Sequence, residues 1–109
     1  MKSIAWLGDS LDIVRAFPDE ARTQIGQQLR RVQQGLEPTD WKPMPGIGLG
    51  ANEIRVHVDT AHRVLYVAKF AEAVYVLHAI TKKTRKTPQR DIDLAAKRFR
   101  ELMNERKAK

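Results

Sequence analysis

The 109 residues contain no cysteine. That absence excludes disulfides and thiolate metal sites. Long apolar runs are missing too: the longest, residues 73–80, falls far short of the roughly 20 residues that cross a bilayer as a helix. We expect no secretory leader, because Lys2 is followed by only five residues, Ser3 to Leu7, before Gly8 and Asp9, too few for a signal core. From these absences we expect a cytoplasmic chain with no membrane partner. Acid is scarce at one end only. Residues 1–81 hold nine Lys/Arg and nine Asp/Glu, which cancel; residues 82–109 hold eleven and four, so the whole net charge of +7 lies in the last quarter. Residues 82–90 carry five basic side chains and no acid. A basic segment on a neutral body points to a polyanion partner, nucleic acid first. The alternative is a helix that only aids solubility.

What is present suffices for one modest core: 42% of residues are hydrophobic, and we expect a single domain over residues 1–109. Residues 2–7 read as an opening strand with Ile4 and Trp6 on one face. Asp9 and Ser10 offer caps for a helix over 11–17. Pro18, Asp19 and Glu20 then start a second helix, with proline suited to the first turn and the acids to the positive end of the dipole. Ala21, Ile25, Leu29 and Val32 form its buried stripe, and Gly35 stops it. Residues 36–51 hold three prolines and three glycines and read as a flexible loop, anchored by Trp41. Their G-x-G-x-G precedes a strand, so the helix N-terminus that a phosphate cradle needs is missing.

Three meandering strands are expected at about 52–58, 62–70 and 73–81. A three-residue turn, 59–61, puts Ile54, Val56 and Val58 on one face with Val64, Tyr66, Ala68 and Phe70. A two-residue turn would instead set Arg63 among apolar side chains, and burying an unpaired charge is costly. The opposite face then carries Glu53, Arg55, His57, Arg63, Leu65 and Val67. Continuing the alternation, Tyr75, Leu77 and Ala79 join the apolar face, and Val74, Val76, His78, Ile80 and Lys82 join the arginines. Thr87 and Pro88 read as cap and first turn of a last helix, whose stripe is Ile92, Ala95, Ala96, Phe99, Leu102 and Met103. The sum is an α+β domain: strand, two-helix hairpin, three-stranded antiparallel meander, C-terminal helix, with the first helices on one sheet face.

This register gathers Arg55, Arg63, His78 and Lys82 on one face, with Lys83, Arg85 and Lys86 just beyond. Arg90 and Lys97 continue the basic surface on the last helix. Such a cluster can bind a phosphodiester and stabilise the charge that develops at phosphorus during transfer. RNA brings its own nucleophile, the 2′-hydroxyl, so neither metal nor other cofactor is required. Structural readings stand beside these. Arg55 can pair with Glu53 or Asp59, Arg63 can be a solvated charge at a turn, and His78, between Val76 and Ile80, can be a packed structural histidine. His57, Asp59 and His62 straddle a turn but offer no fourth metal ligand.

Three strings resemble a known family: Asn52-Glu53-Ile54-Arg55-Val56, His62-Arg63-Val64-Leu65-Tyr66, and Val76-Leu77-His78-Ala79-Ile80-Thr81-Lys82-Lys83-Thr84-Arg85-Lys86-Thr87-Pro88 running into an amphipathic helix. With them the whole chain is similar to the RelE/ParE toxin superfamily, most of all to its phage-associated HigB-like branch. The resemblance implies a microbial-RNase-like fold and ribosome-dependent cleavage of mRNA at the decoding site. It also implies neutralisation by a cognate helix-turn-helix antitoxin. Active members use basic residues on the second, third and fourth strands, which correspond here to Arg55, Arg63, and Lys82 or Lys83. Some place a tyrosine or histidine near the end of the last strand. No tyrosine follows Tyr75, which leaves His78 as the nearby candidate for proton transfer. The expected activity is therefore an endoribonuclease toxin. The alternatives are a ParE-like toxin of the same fold that inhibits DNA gyrase, or a non-enzymatic nucleic-acid-binding module.

Overall fold

A computed structural model describes residues 1–82 and 85–108, the side chain of Lys82 excepted. The described residues form, in order, β1 (Ser3–Trp6), α1 (Ser10–Arg15), α2 (Asp19–Gln33), β2 (Trp41–Pro43), β3 (Ala51–Val58), β4 (Thr60–Val67), β5 (Ala73–Lys82) and α3 (Gln89–Lys107). The strands make one sheet in the order β1-β5-β4-β3-β2. β1 runs parallel to β5, and the remaining pairs are antiparallel. The α+β class and the element order are those expected, with β2 added. None of the described helices is long and apolar enough to cross a membrane.

Helix α2 buries its expected stripe, Ala21, Ile25, Leu29 and Val32. It ends because Gly35 adopts a left-handed backbone, φ 83°, which lets Leu36 N–H bond the Arg31 carbonyl at 2.9 Å and Gly35 N–H the Val32 carbonyl at 3.0 Å. Each sheet face carries its own apolar layer. One unites Val14, Phe17 and the α2 stripe with Ile54, Val56, Val64, Tyr66, Val74, Val76 and Ala79. The other sets Leu65, Val67 and Leu77 against Ala95, Phe99 and Leu102 of α3.

Three expectations need correction. The β3–β4 hairpin reverses on the single residue Asp59, at φ 64°, not on three residues. Ile54 therefore faces Val64, and Val56 faces His62. An odd loop of either length keeps the same parity, so the face assignment stands through Ala68 while the register moves by two. Phe70, beyond the end of β4, packs in the α3 layer instead. On β5 the alternation breaks. Leu65 pairs with His78 but Tyr66 pairs with Val76, a bulge at Leu77. The bulge reverses the phase of the strand's first half. Val74 and Val76 turn to α1 and α2, and Tyr75 and Leu77 turn to α3, opposite to the expectation. Finally, residues 36–51 are more than a flexible loop. Trp41 pairs with Ile54 in β2, and Met44 and Ile47 are buried in the α3 layer.

Candidate functional site

Odd positions of β3 and β4 share the α3 side of the sheet. Near the Asp59 turn, α3 does not reach them, and polar side chains replace the apolar layer. Arg55 and Arg63 are direct cross-strand partners. Two guanidinium groups opposite each other repel unless an acid intervenes. Glu53, two residues before Arg55 on the same face, supplies it: Arg55 Nη2 donates to Glu53 Oε1 at 2.9 Å. Glu53 is 1% exposed and its other oxygen accepts a hydrogen bond from Thr87 Oγ1.

The segment entering α3 folds over this pair. Arg55 Nη2 also donates to the Arg85 carbonyl at 3.1 Å, and Arg63 Nη1 to the Lys86 carbonyl at 3.3 Å. Arg63 is wholly buried, so it is not the solvated turn charge that one reading allowed. Burial pushes its guanidinium below the ordinary arginine range, Arg55 adds to that, and Glu53 and Asp91 oppose it. The Arg55 side chain keeps 20% exposure. An open cleft of about 470 Å³ lies beside the two arginines, lined also by His57, Asp59, Thr60, Ala61 and Arg85. Desolvated cations at the wall of a solvent-filled cleft are suited to hold an anion.

The other candidate residues are distributed around this cleft. His78 pairs with Leu65, one strand over, is 4% exposed, and does not line the cleft. Its Nε2 lies 2.8 Å from Asp91 Oδ1 and its Nδ1 3.4 Å from Arg98 Nη1. Because arginine only donates, these partners assign the proton to Nε2. Arg98 continues the chain to the Leu77 carbonyl at 2.9 Å and Asp9 Oδ1 at 2.8 Å. The Lys82 backbone pairs with Ala61, which lines the cleft. Lys83 lies outside the described residues. Arg85, Lys86, Arg90 and Lys97 are all exposed. His57 and His62 sit on opposite sheet faces: His62 packs on Phe17 at 4.8 Å and bonds Thr81 Oγ1 at 2.8 Å. The two imidazoles do not converge on a metal.

Glu53 and Thr87 belong to the site but not to the sequence-derived set. Glu53 was visible as an acid on the arginine face. Thr87 resembled a helix cap, yet α3 has no side-chain cap bond and the hydroxyl goes to Glu53. A family model, phage-derived protein Gp49-like (DUF891), matches residues 12–100. A search of curated proteins finds no match. The matched span takes in the end of α1, all of α2, the arginine pair and most of α3, and the chain belongs to this Gp49-like family, a family of RelE-like toxins.

Proposed function

We propose that this chain is the toxin of a type II toxin–antitoxin pair, in the HigB-like branch, and cleaves mRNA at the ribosomal decoding site. The meeting of Arg55 and Arg63 at the wall of an open cleft carries this reading. Attack of a 2′-hydroxyl on the neighbouring phosphorus forms a cyclic 2′,3′-phosphate as the bond to the 5′-oxygen breaks, the 5′-oxygen leaving as a hydroxyl once protonated. On the way, negative charge concentrates on the phosphorane oxygens. Fixed guanidinium donors stabilise that charge without reorganising at the moment of reaction. In this reading Arg55 and Arg63 hold the phosphate, and Lys82 adds a cation at the end of β5. His78, the imidazole expected from the sequence to transfer protons, is buried, engaged at both ring nitrogens by Asp91 and Arg98 and set off the cleft. In this reading it therefore steadies β5 against α3, and the proton-transfer group is another. Arg85, Lys86, Arg90 and Lys97 extend the basic surface along the RNA, and Lys83 is proposed from the sequence alone as a further RNA contact. Membership of a RelE-like toxin family supports the toxin role and an antitoxin partner. We propose that this partner is a helix-turn-helix protein and that both act in the cytoplasm.

The test is induction of the chain in cells, followed by mapping of mRNA 5′ ends. Codon-phased cuts are expected for wild type and lost in Arg55→Ala and Arg63→Ala. Arg55→Ala is the cleaner variant because Arg55 is partly exposed. Growth arrest with intact mRNA and relaxed plasmids would overturn the nuclease reading in favour of gyrase inhibition.

A further inference from the structure

Glu53 is a buried acid in the arginine network that the proposed chemistry does not use. An ionised carboxylate taken out of water costs several kcal/mol unless its oxygens are partnered. Glu53 has a partner for each: Arg55 Nη2 on its own strand, and Thr87 Oγ1 at the entry to α3. Thr87 is itself 6% exposed, and its hydroxyl is withheld from the helix end it would ordinarily cap. Both side-chain hydrogen bonds of Arg55 among the described residues run through Nη2, to Glu53 and to the Arg85 carbonyl. The guanidinium is thus aimed by one nitrogen, and its Nη1 and Nε hydrogens are left for an anion in the cleft that Arg55 lines.

We infer that Glu53 and Thr87 are positioning residues: a buried brace that ties the segment entering α3 to β3 and aims the free edge of Arg55 at a phosphate. The carboxylate has a second effect. It offsets the repulsion between Arg55 and Arg63, which would otherwise drive the two cross-strand cations apart. The brace touches no substrate. It acts through the orientation of Arg55 and therefore through turnover more than through affinity. The inference rests on the reading of the cleft as a phosphate site.

The test uses the full chain, ribosomes programmed with an end-labelled mRNA, and a fluorescent single-stranded RNA oligonucleotide for binding. Thr87→Val keeps the side-chain shape and removes the donor. It should lower kcat by up to about a hundred-fold, the scale of a catalytic group displaced by an ångström, with KM little changed. Thr87→Ser keeps the donor and should restore turnover to near the wild-type rate. Glu53→Gln should also lose turnover while binding the oligonucleotide at least as tightly as wild type, since it removes a negative charge. Thermal midpoints of each variant show whether the fold persists. Equal turnover in Thr87→Val, Glu53→Gln and wild type would overturn the brace. So would equal loss in Thr87→Ser and Thr87→Val, or losses that only track unfolding. Arg55→Ala separates the two levels. If it cuts like wild type, the cleft reading falls; if it is dead while the brace variants are normal, only the brace falls.

Discussion

Arg63 was expected on the non-helical-hairpin side of the sheet because a charge is costly among apolar side chains. It is indeed there, yet it is fully buried. The alternation of β3 and β4 revealed the direction of its side chain. It did not reveal the cover, because the Lys86 carbonyl that takes its Nη1 hydrogen, like the Arg85 carbonyl on Arg55, comes from a segment without periodicity. Tyr66 shows burial acting on a different group. Its phenol is pushed up from 10.0 to about 12, mainly by desolvation, with a hydrogen bond to Asn52 opposing and the charge of Glu37 reinforcing. A raised acid favours the folded state while it stays neutral. The contribution is therefore complete below pH 10.0 and disappears as pH climbs through about 12. Ultraviolet titration of the two tyrosines should show one ionising late, together with unfolding. Tyr66→Phe should remove that late step and flatten the alkaline fall of the urea midpoint. A single early step for both would contradict this.

Among the elements, the connection between β2 and β3 departs furthest from expectation. Its prolines and glycines mark backbone geometry, and they led to the expectation of mobility. Met44 and Ile47 are buried nonetheless, and Gly48 is pressed on Phe99: a Cβ there would lie 2.5 Å from the ring. The contact depends on a helix about fifty positions away, which no local pattern encodes. Gly48→Ala should destabilise the fold by about 1–3 kcal/mol, the usual penalty for over-filling a packed site. Chemical denaturation would measure it. Phe99→Leu in the same background should recover part of the loss if the ring is the obstacle. Helices α2 and α3 were legible for the opposite reason, since their stripes repeat every three to four residues and report their own buried faces.

For the molecule as a whole, composition foretold the charge asymmetry but not the closure of the sheet. β1 meets β5 across some seventy residues, Ser3 opposite Ala73, and a parallel pairing leaves no turn to read. Arg85, Lys86, Arg90 and Lys97 are exposed near or beyond the cleft, where several phosphates can be neutralised at once. Single-stranded RNA binding should therefore weaken by roughly 0.7 log units per log unit of salt for each phosphate contact. With about four contacts, the fitted slope should be near −3. A flat salt response would disconnect the basic quarter of the chain from nucleic acid.

The irregularity at Leu77 governs more than one strand. Upstream of it, β5 sends its branched side chains into one oily compartment; downstream, it sends His78 and Ile80 the other way. Excising that one amino acid would leave an evenly alternating strand whose remaining side chains all keep their present compartments. The loss would be a single apolar group beneath the last helix, so the kink serves to fit one more side chain there than a regular strand could supply.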